Sequence, residues 1–482
     1  MSEMITITIK EKQTEKKIQH DKKKTLLETL LLEEIGKGSF CKGISLCGNC
    51  KVRFQKGAPF PTAQERRFFT AEELRDGFRL ACQAKPVQDC VVELQFAADS
   101  GMNIVSDSSV QTGIEDWNVT KERKREAART FVVVDIGTTT VVMQLVDAIT
   151  EEVIGTVKFM NPQRRFGLDV LSRIQAAKEH GEVLKSLIQK AVLQGIVTLK
   201  RESGCENPPE LLCVTGNTAM LHIFMGYDTE ALGKSPFRPV SVACEETTLD
   251  GIRTVIMPSV SAFVGADITA GILSTGMQET DKMNLLLDLG TNGEMALGNK
   301  ESILTCATAA GPAFEGGAEK GIYGSDRIGA VATLLTQGVI EESGYMEMPT
   351  TCIYQGKNVE VSLEQIRQLQ LAKAAVRAGI EILVKKCGLK SIEELDTVYL
   401  AGGFGFFLDA HAAVRIGLLP EVLEDKVKAV GNSALAGARR FGKAYLESKG
   451  NVCQLVYMDR IESFNLAKEE EFQELYIQCM NF

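Results

Sequence analysis

The 482-residue chain has only four histidines and one tryptophan, and aromatic residues make up 6% of it. His20, His180, His222 and His411 are widely spaced and form no HExxH or Cys–His motif, so zinc sites that need imidazole have no support. No grouping of Ser, His and Asp points to nucleophilic catalysis. No apolar run approaches the length of a membrane span. The opening MSEMITITIKEKQTEKK alternates apolar and polar residues and lacks the unbroken apolar core of a secretory signal. A strongly basic face with interleaved aromatics, which nucleic-acid binding would need, is also missing: residues 1–97 carry a net charge of +4 and the remainder −13. The composition, 44% hydrophobic and 24% charged, is that of a globular protein. The expectation is a soluble, cytoplasmic protein of about three domains that binds neither nucleic acid nor membrane.

Thiols, by contrast, are plentiful. Thirteen cysteines in a reducing compartment are better read as metal or redox ligands than as disulfides. Three of them fall in FCKGISLCGNCKVRF, residues 40–54, as Cys41, Cys47 and Cys50, and Cys82 follows in RLACQA. Around them ITITIK and the polar stretch before His20 read as strands, TLLETLLLEEI as an amphipathic helix, KVRF as a strand, Thr70 to Asp76 as a helix and VVELQF as a closing strand. This is the element order of a β-grasp ferredoxin over residues 1–97. Four thiolates, three from one loop and one from a distant segment, suit a [2Fe-2S] cluster, and Gly43 and Gly48 let loop amides turn toward sulfur. A four-cysteine zinc ribbon is the alternative, but it uses two CxxC pairs and only Cys47 and Cys50 form one. Cys90 reads as a packed thiol. Residues 98–130, polar and without periodicity, read as a tether with a reach of roughly 30 Å; Trp117 within it reads as an anchor inside the chain.

Residues 131–482 begin with FVVVDIGTTTVVMQLVDAITEEVIGTVKF, and the pattern returns 153 residues later in NLLLDLGTNGEMALGNKESILTC. A buried strand, a DxGT turn and a returning strand occur twice, which implies two similar lobes facing one another. Asp135, Gly137, Thr138 and Thr139 in the first turn, and Asp288, Gly290, Thr291 and Asn292 in the second, suit a triphosphate: glycine admits close backbone approach, amides and hydroxyls donate, and the aspartates hold Mg2+ through water. TVYLAGGFGFFLD supplies Gly402 and Gly403, bare backbone for an adenosine, and GNSALAGARRF from Gly431 opens a helix expected to line the other side of the base. Glu294 is the candidate to orient an attacking water. Asp169 and Asp267, each opening a helix, are further magnesium candidates.

The order of these motifs resembles the superfamily of acetate and sugar kinases, heat-shock chaperone ATPases and actin, which implies a two-lobed α/β ATPase of ribonuclease H-like lobes that binds ATP. The whole chain resembles the reductive activators of corrinoid proteins, on the cysteine set, the two DxGT loops, VTGNTAM at 214–220, NPQRRFGLDVLSRI at 161–174, MPSVSAFVGADITAGIL at 257–273 and AAGPAFEGG at 309–317. The resemblance implies an ATP-driven one-electron reduction of cob(II)amide to cob(I)amide on a partner corrinoid protein of a methyltransferase system, with an external low-potential electron donor. An activator of a radical acyl-CoA dehydratase and a small-molecule kinase with a redox-sensing ferredoxin domain are the competing readings.

Overall fold

Alternation decides the first sheet. In β1 (Met4–Glu11) Ile5, Ile7 and Ile9 turn inward while Thr6, Thr8 and Lys10 face out. The computed structural model describes residues 4–11, 14–33, 35, 50–62, 65–67, 69–94, 129–290, 292–308, 310, 314, 322–451 and 457–482. Cys41, Cys47, Thr291, Trp117, nearly all of the expected tether and most of AAGPAFEGG lie outside them. β1 pairs with β2 (Thr14–Asp21), and α1 (Leu26–Leu32) follows. β3 (Lys51–Lys56), α2 (Ala71–Arg75), β4 (Phe78–Leu80) and β5 (Cys90–Leu94) complete a five-stranded sheet in the order β2-β1-β5-β3-β4. Only the β1–β5 pair in it is parallel. Thr70 and Glu73 form a reciprocal capping box that starts α2. Leu26, Leu27 and Leu30 of α1 bury against Val52, Leu80 and Val92. This is the β-grasp ferredoxin fold.

The second architecture starts at β6 (Thr130–Ile136), whose Phe131 to Val134 run is fully buried, as a strand covered on both faces requires. β7 (Thr140–Asp147) and β8 (Val153–Met160) extend it as an antiparallel meander. After α3 (Val170–Ser203), β9 (Leu212–Gly216) returns parallel to β6. Then come α4 (Thr218–Met225), the β10 (Glu245–Leu249) and β11 (Ile252–Ile256) hairpin, and α5 (Ala266–Thr275). The sheet order is β10-β11-β9-β6-β7-β8.

The plan then repeats. β12 (Asn284–Leu289), β13 (Gly293–Gly298) and β14 (Ile303–Thr308) form the meander. An insertion of α6 (Gly324–Thr336), the hairpin β15 (Thr350–Tyr354) and β16 (Lys357–Val361), and α7 (Leu363–Lys386) follows. β17 (Thr397–Ala401) runs parallel to β12; α8 (Gly402–Phe407), α9 (Ala410–Arg415), β18 (Val427–Gly431), α10 (Ser433–Glu447), β19 (Ile461–Ser463) and α11 (Phe472–Gln478) complete the lobe. Its sheet is ordered β18-β17-β12-β13-β14-β19. Two ribonuclease H-like lobes in tandem make an actin-like ATPase fold. By contact the chain divides into two compact units, residues 1–99 with 162–176, and the remainder.

The two lobes exchange helices. α5, which ends the first lobe, buries Ile268 and Ile272 against Leu286, Ala296 and Ala401 of the second sheet. α10, which follows the last core strand of the second lobe, packs on β6 and β9 of the first, where Gly442 lies against Phe131 and Cys213. The helices cross tightly on small residues: any side chain at Gly437 would overlap the Ala270 carbonyl.

Candidate functional site

The first DxGT turn is shaped by backbone crowding. A Cβ at Gly137 would lie 2.7 Å from the Thr140 carbonyl oxygen, so glycine is required. Asn161, just past β8, fixes the loop from outside: its amide Nδ2 donates to the Gly137 carbonyl (2.8 Å) and its backbone N–H to that of Thr139 (2.9 Å). Thr138 is buried. Asp135 ends β6 in register with Thr215 on β9. In the second turn the Gly290 N–H donates to the Asn292 carbonyl at 3.1 Å. Asp288 stands directly across from Glu294 on β13 and beside Ala401 on β17. Gly402 adopts φ +81°, and a Cβ there would approach Asp288 Oδ1 to 2.5 Å; Gly403 follows within α8.

Four carboxyl groups share one field here. Burial pushes Asp135 up to about 6, partly offset by a hydrogen bond from Asn432. Asp288 is pushed up to about 7 by burial and then by Asp135. Asp267, in the first turn of α5, is pushed up to about 8 by burial and then by Asp288 and Asp135. Glu294 is raised well above the usual carboxylate range by burial and then by Asp267, Asp288 and Asp135. Glu294 is 6% exposed, and among the described residues its buried Oε1 has no hydrogen-bond partner. Such a cluster repels itself and favours a bound cation. Among the described residues no three acidic, His or Cys side chains come close enough to grip a metal directly. The unpaired Glu294 oxygen and the glycine-cleared backbone fit a magnesium nucleotide.

Sequence reasoning found Asp135, Asp267, Asp288 and Glu294 and missed Asn432 and Asn161. Asn432 caps α10, accepting the Leu435 N–H at 2.8 Å, while its Nδ2 donates to Asp135 Oδ2 at 3.0 Å. The helix it opens lies on the first lobe and α5, so α10 serves the lobe junction and the carboxylates. Asp169 is used differently from Asp267. Its Oδ1 accepts the Ser172 N–H at 2.8 Å, capping α3.

In the ferredoxin unit, Cys50 precedes β3 and Cys82 follows β4. The strands pair Lys51 with Leu80, and the Ala81 N–H donates to the Cys50 carbonyl at 2.8 Å. Both buried thiols therefore sit at the same end of the hairpin, an arrangement that fits two ligands of one cluster. Cys90 packs in the core, where burial, and then Asp89, push its thiol up to about 12; it stays protonated.

Two ribonuclease H-like lobes around four carboxylates, in one chain with a β-grasp ferredoxin, define an ATPase of the sugar kinase, chaperone and actin class with an iron–sulfur domain. Family models match in the same order: the 2Fe-2S iron-sulfur cluster binding domain over residues 9–87, the RACo middle region over 131–280, and the C-terminal domain of RACo, the ASKHA domain, over 282–320 and 318–482. The chain is 30% identical over 422 residues to the corrinoid activation enzyme RamQ of Eubacterium limosum, covering 72% of this chain and 69% of that one. It is 25% identical over 423 residues to the Co(II) methylated amine-specific corrinoid protein reductase of Methanosarcina barkeri, covering 72% and 76%. A solved reductive activator for a corrinoid, iron–sulfur protein superposes with a TM-score of 0.65 at 26% identity, covering 99% of this chain and 98% of that one. The chain belongs to the family of reductive activators of corrinoid proteins.

Proposed function

We propose that the protein is an ATP-dependent reductive activator. It returns inactive cob(II)amide on a partner corrinoid protein of a methyltransferase system to cob(I)amide, by one-electron transfer from its [2Fe-2S] cluster coupled to ATP binding and hydrolysis. The observation that carries this reading is the joining of a cysteine-bearing β-grasp domain to a carboxylate-lined, two-lobed ATPase in a family of corrinoid activators. In this reading residues 1–97 form the ferredoxin domain, 98–130 the tether and 131–482 the ATPase, in the cytoplasm.

Cys41, Cys47, Cys50 and Cys82 hold the cluster, which supplies one electron and is recharged by an external low-potential donor. The cobalt of the partner takes that electron, passing from Co(II) to Co(I). Plant-type clusters lie near roughly −400 mV, and each 100 mV of shortfall costs about 2.3 kcal/mol per electron. A nucleotide-linked change of state that alters cobalt ligation offsets that cost. On the ATPase, Asp135 and Asp288 hold Mg2+ through water, and the Gly137–Thr139 and Gly290–Asn292 turns present amides and hydroxyls to phosphate. Gly402 and Gly403 leave room for the adenosine. Glu294, buried and unpaired at one oxygen, orients the attacking water.

The test mixes the reduced protein with a corrinoid subunit loaded with cob(II)amide and follows the visible spectrum. Cob(I)amide is expected only with ATP. No reduction with any corrinoid protein encoded beside this gene would sink the proposal.

A further inference from the structure

We infer that Thr215, at the end of β9, is a positioning residue of the nucleotide site: its hydroxyl holds a water of the nucleotide's magnesium ion beside Asp135 and Asp267. The role rests on the ATPase reading above and lies outside both DxGT turns.

Position comes first. Thr215 is in register with Asp135 across the parallel pair of β9 and β6, so both side chains leave the sheet on one face. Cys213 and Phe131, on the same face of these strands, meet Gly442 of α10. The face is therefore the one that α10 covers, and Asn432, the cap of that helix, donates to Asp135 there at 3.0 Å. Asp267 closes on Thr215 from α5. A Cβ at Gly265 would stand 2.7 Å from Asp267 Oδ1 and 2.7 Å from the carbonyl oxygen of Gly216, the residue after Thr215.

Chemistry comes second. Thr215 is fully buried in a strand whose Leu212, Cys213 and Val214 are apolar. Among the described residues, its Oγ1 is the one buried hydroxyl without a hydrogen-bond partner. Thr254, Thr269 and Thr305 are buried as deeply, and each donates to a backbone carbonyl. An unpaired buried hydroxyl destabilises a fold, and valine has the same shape without the polar atom. Packing alone therefore favours valine at this position, and the hydroxyl calls for a partner that comes with the ligand. An ionised carboxylate only accepts, whereas a hydroxyl offers a donor and two acceptor sites. A water bound to a cation donates both its hydrogens; Asp135 accepts one and Thr215 Oγ1 the other, which fixes how that water is turned.

The test compares Thr215→Val and Thr215→Ser with wild type as full-length holoprotein, by thermal unfolding without nucleotide and by titration with ATP in Mg2+ or in EDTA. Without nucleotide, Thr215→Val is expected to raise the Tm of the ATPase unit by about 2 to 6 °C, as loss of an unpaired hydroxyl gives. Thr215→Ser, which removes a buried methyl, is expected to lower it. In Mg2+ the order reverses: Thr215→Val binds ATP roughly 10-fold more weakly than wild type, the scale of one hydrogen bond in a charged site, and Thr215→Ser binds nearly as wild type does. In EDTA wild type and both variants bind ATP alike. A side chain that merely packs would move stability and affinity together. Wild-type affinity for Mg-ATP in Thr215→Val, the same weakening in Thr215→Ser or in EDTA, or a lowered Tm of nucleotide-free Thr215→Val would overturn the role of Thr215 alone. Wild-type protein that binds no Mg-ATP would overturn the ATPase reading itself.

Discussion

Asp288→Asn tests whether the carboxylate cluster stores unfavourable charge in the nucleotide-free protein. Asp288 ordinarily titrates at 3.8 and is pushed up to about 7 in the fold. The folded state therefore binds more protons than the unfolded chain between these values, and stability falls as pH rises through that window. Below 3.8 the contribution is fully present; above about 7 it is gone. From pH 5 to pH 7 the loss is about 3 kcal/mol, at about 1.4 kcal/mol per pH unit. Asparagine keeps the shape and cannot ionise. Relative to wild type, Asp288→Asn is expected to gain about 3 kcal/mol between pH 5 and pH 8, or about 6 °C in the Tm of the ATPase unit at about 2 °C per kcal/mol. The assay is thermal unfolding at both pH values, with and without Mg-ATP. Bound cation should flatten the wild-type slope, and the variant should lose most of its stabilisation by Mg-ATP. A variant destabilised equally at pH 5 and pH 8 would refute the reasoning.

Cys82→Ala should lose both iron and sulfide on elemental assay, and zinc in the wild-type protein in their place would overturn the cluster. Asn432→Ala should cost about 1 kcal/mol for the lost α10 cap and lower ATP hydrolysis, with the Asp135 limb of the pH–rate profile moved above about 6, because the bond that holds that carboxyl down is gone. Asn432→Asp keeps the cap but sets a carboxylate against Asp135, so its defect should be larger at pH 8 than at pH 5. Gly437→Val, overlapping Ala270, should lower the Tm of the ATPase unit by more than about 4 °C, at roughly 2 kcal/mol of overpacking, while the visible spectrum of the ferredoxin domain is unchanged.

Much of this site is legible in the sequence because its key residues sit at turns. Asp135 and Asp288 end apolar strands before DxGT turns, and a repeat of that pattern is hard to produce otherwise. The strands and helices of the ferredoxin domain follow alternation and capping, except the three-residue β4, too short to show a period. Asp169 and Asp267 look alike as helix-opening acids, yet Ser172, three residues past Asp169, was the signal that one of them is a cap. Helix exchange is not legible. GNSALAGARRF shows a helix with a small-residue face, but which sheet that face meets is decided by the other lobe. The bond from Asn432 to Asp135 depends on that meeting and leaves no signal in the segment itself. Asn161 was visible only as part of NPQRRFGLDVLSRI, since a side chain that ties a loop 24 residues earlier leaves no local pattern.

The crossing of α5 and α10 makes the molecule a lever. Each lobe lends a helix to the other, so pulling them straight apart would strip apolar cover from both sheets at once, whereas turning one helix over the other keeps both faces covered. The fulcrum is the contact of Gly437 with Ala270, about one helical turn from Asp267 on α5 and about one and a half from Asn432, the cap of α10. A small angular change at the carboxylates is therefore delivered as a displacement that grows with distance from that point.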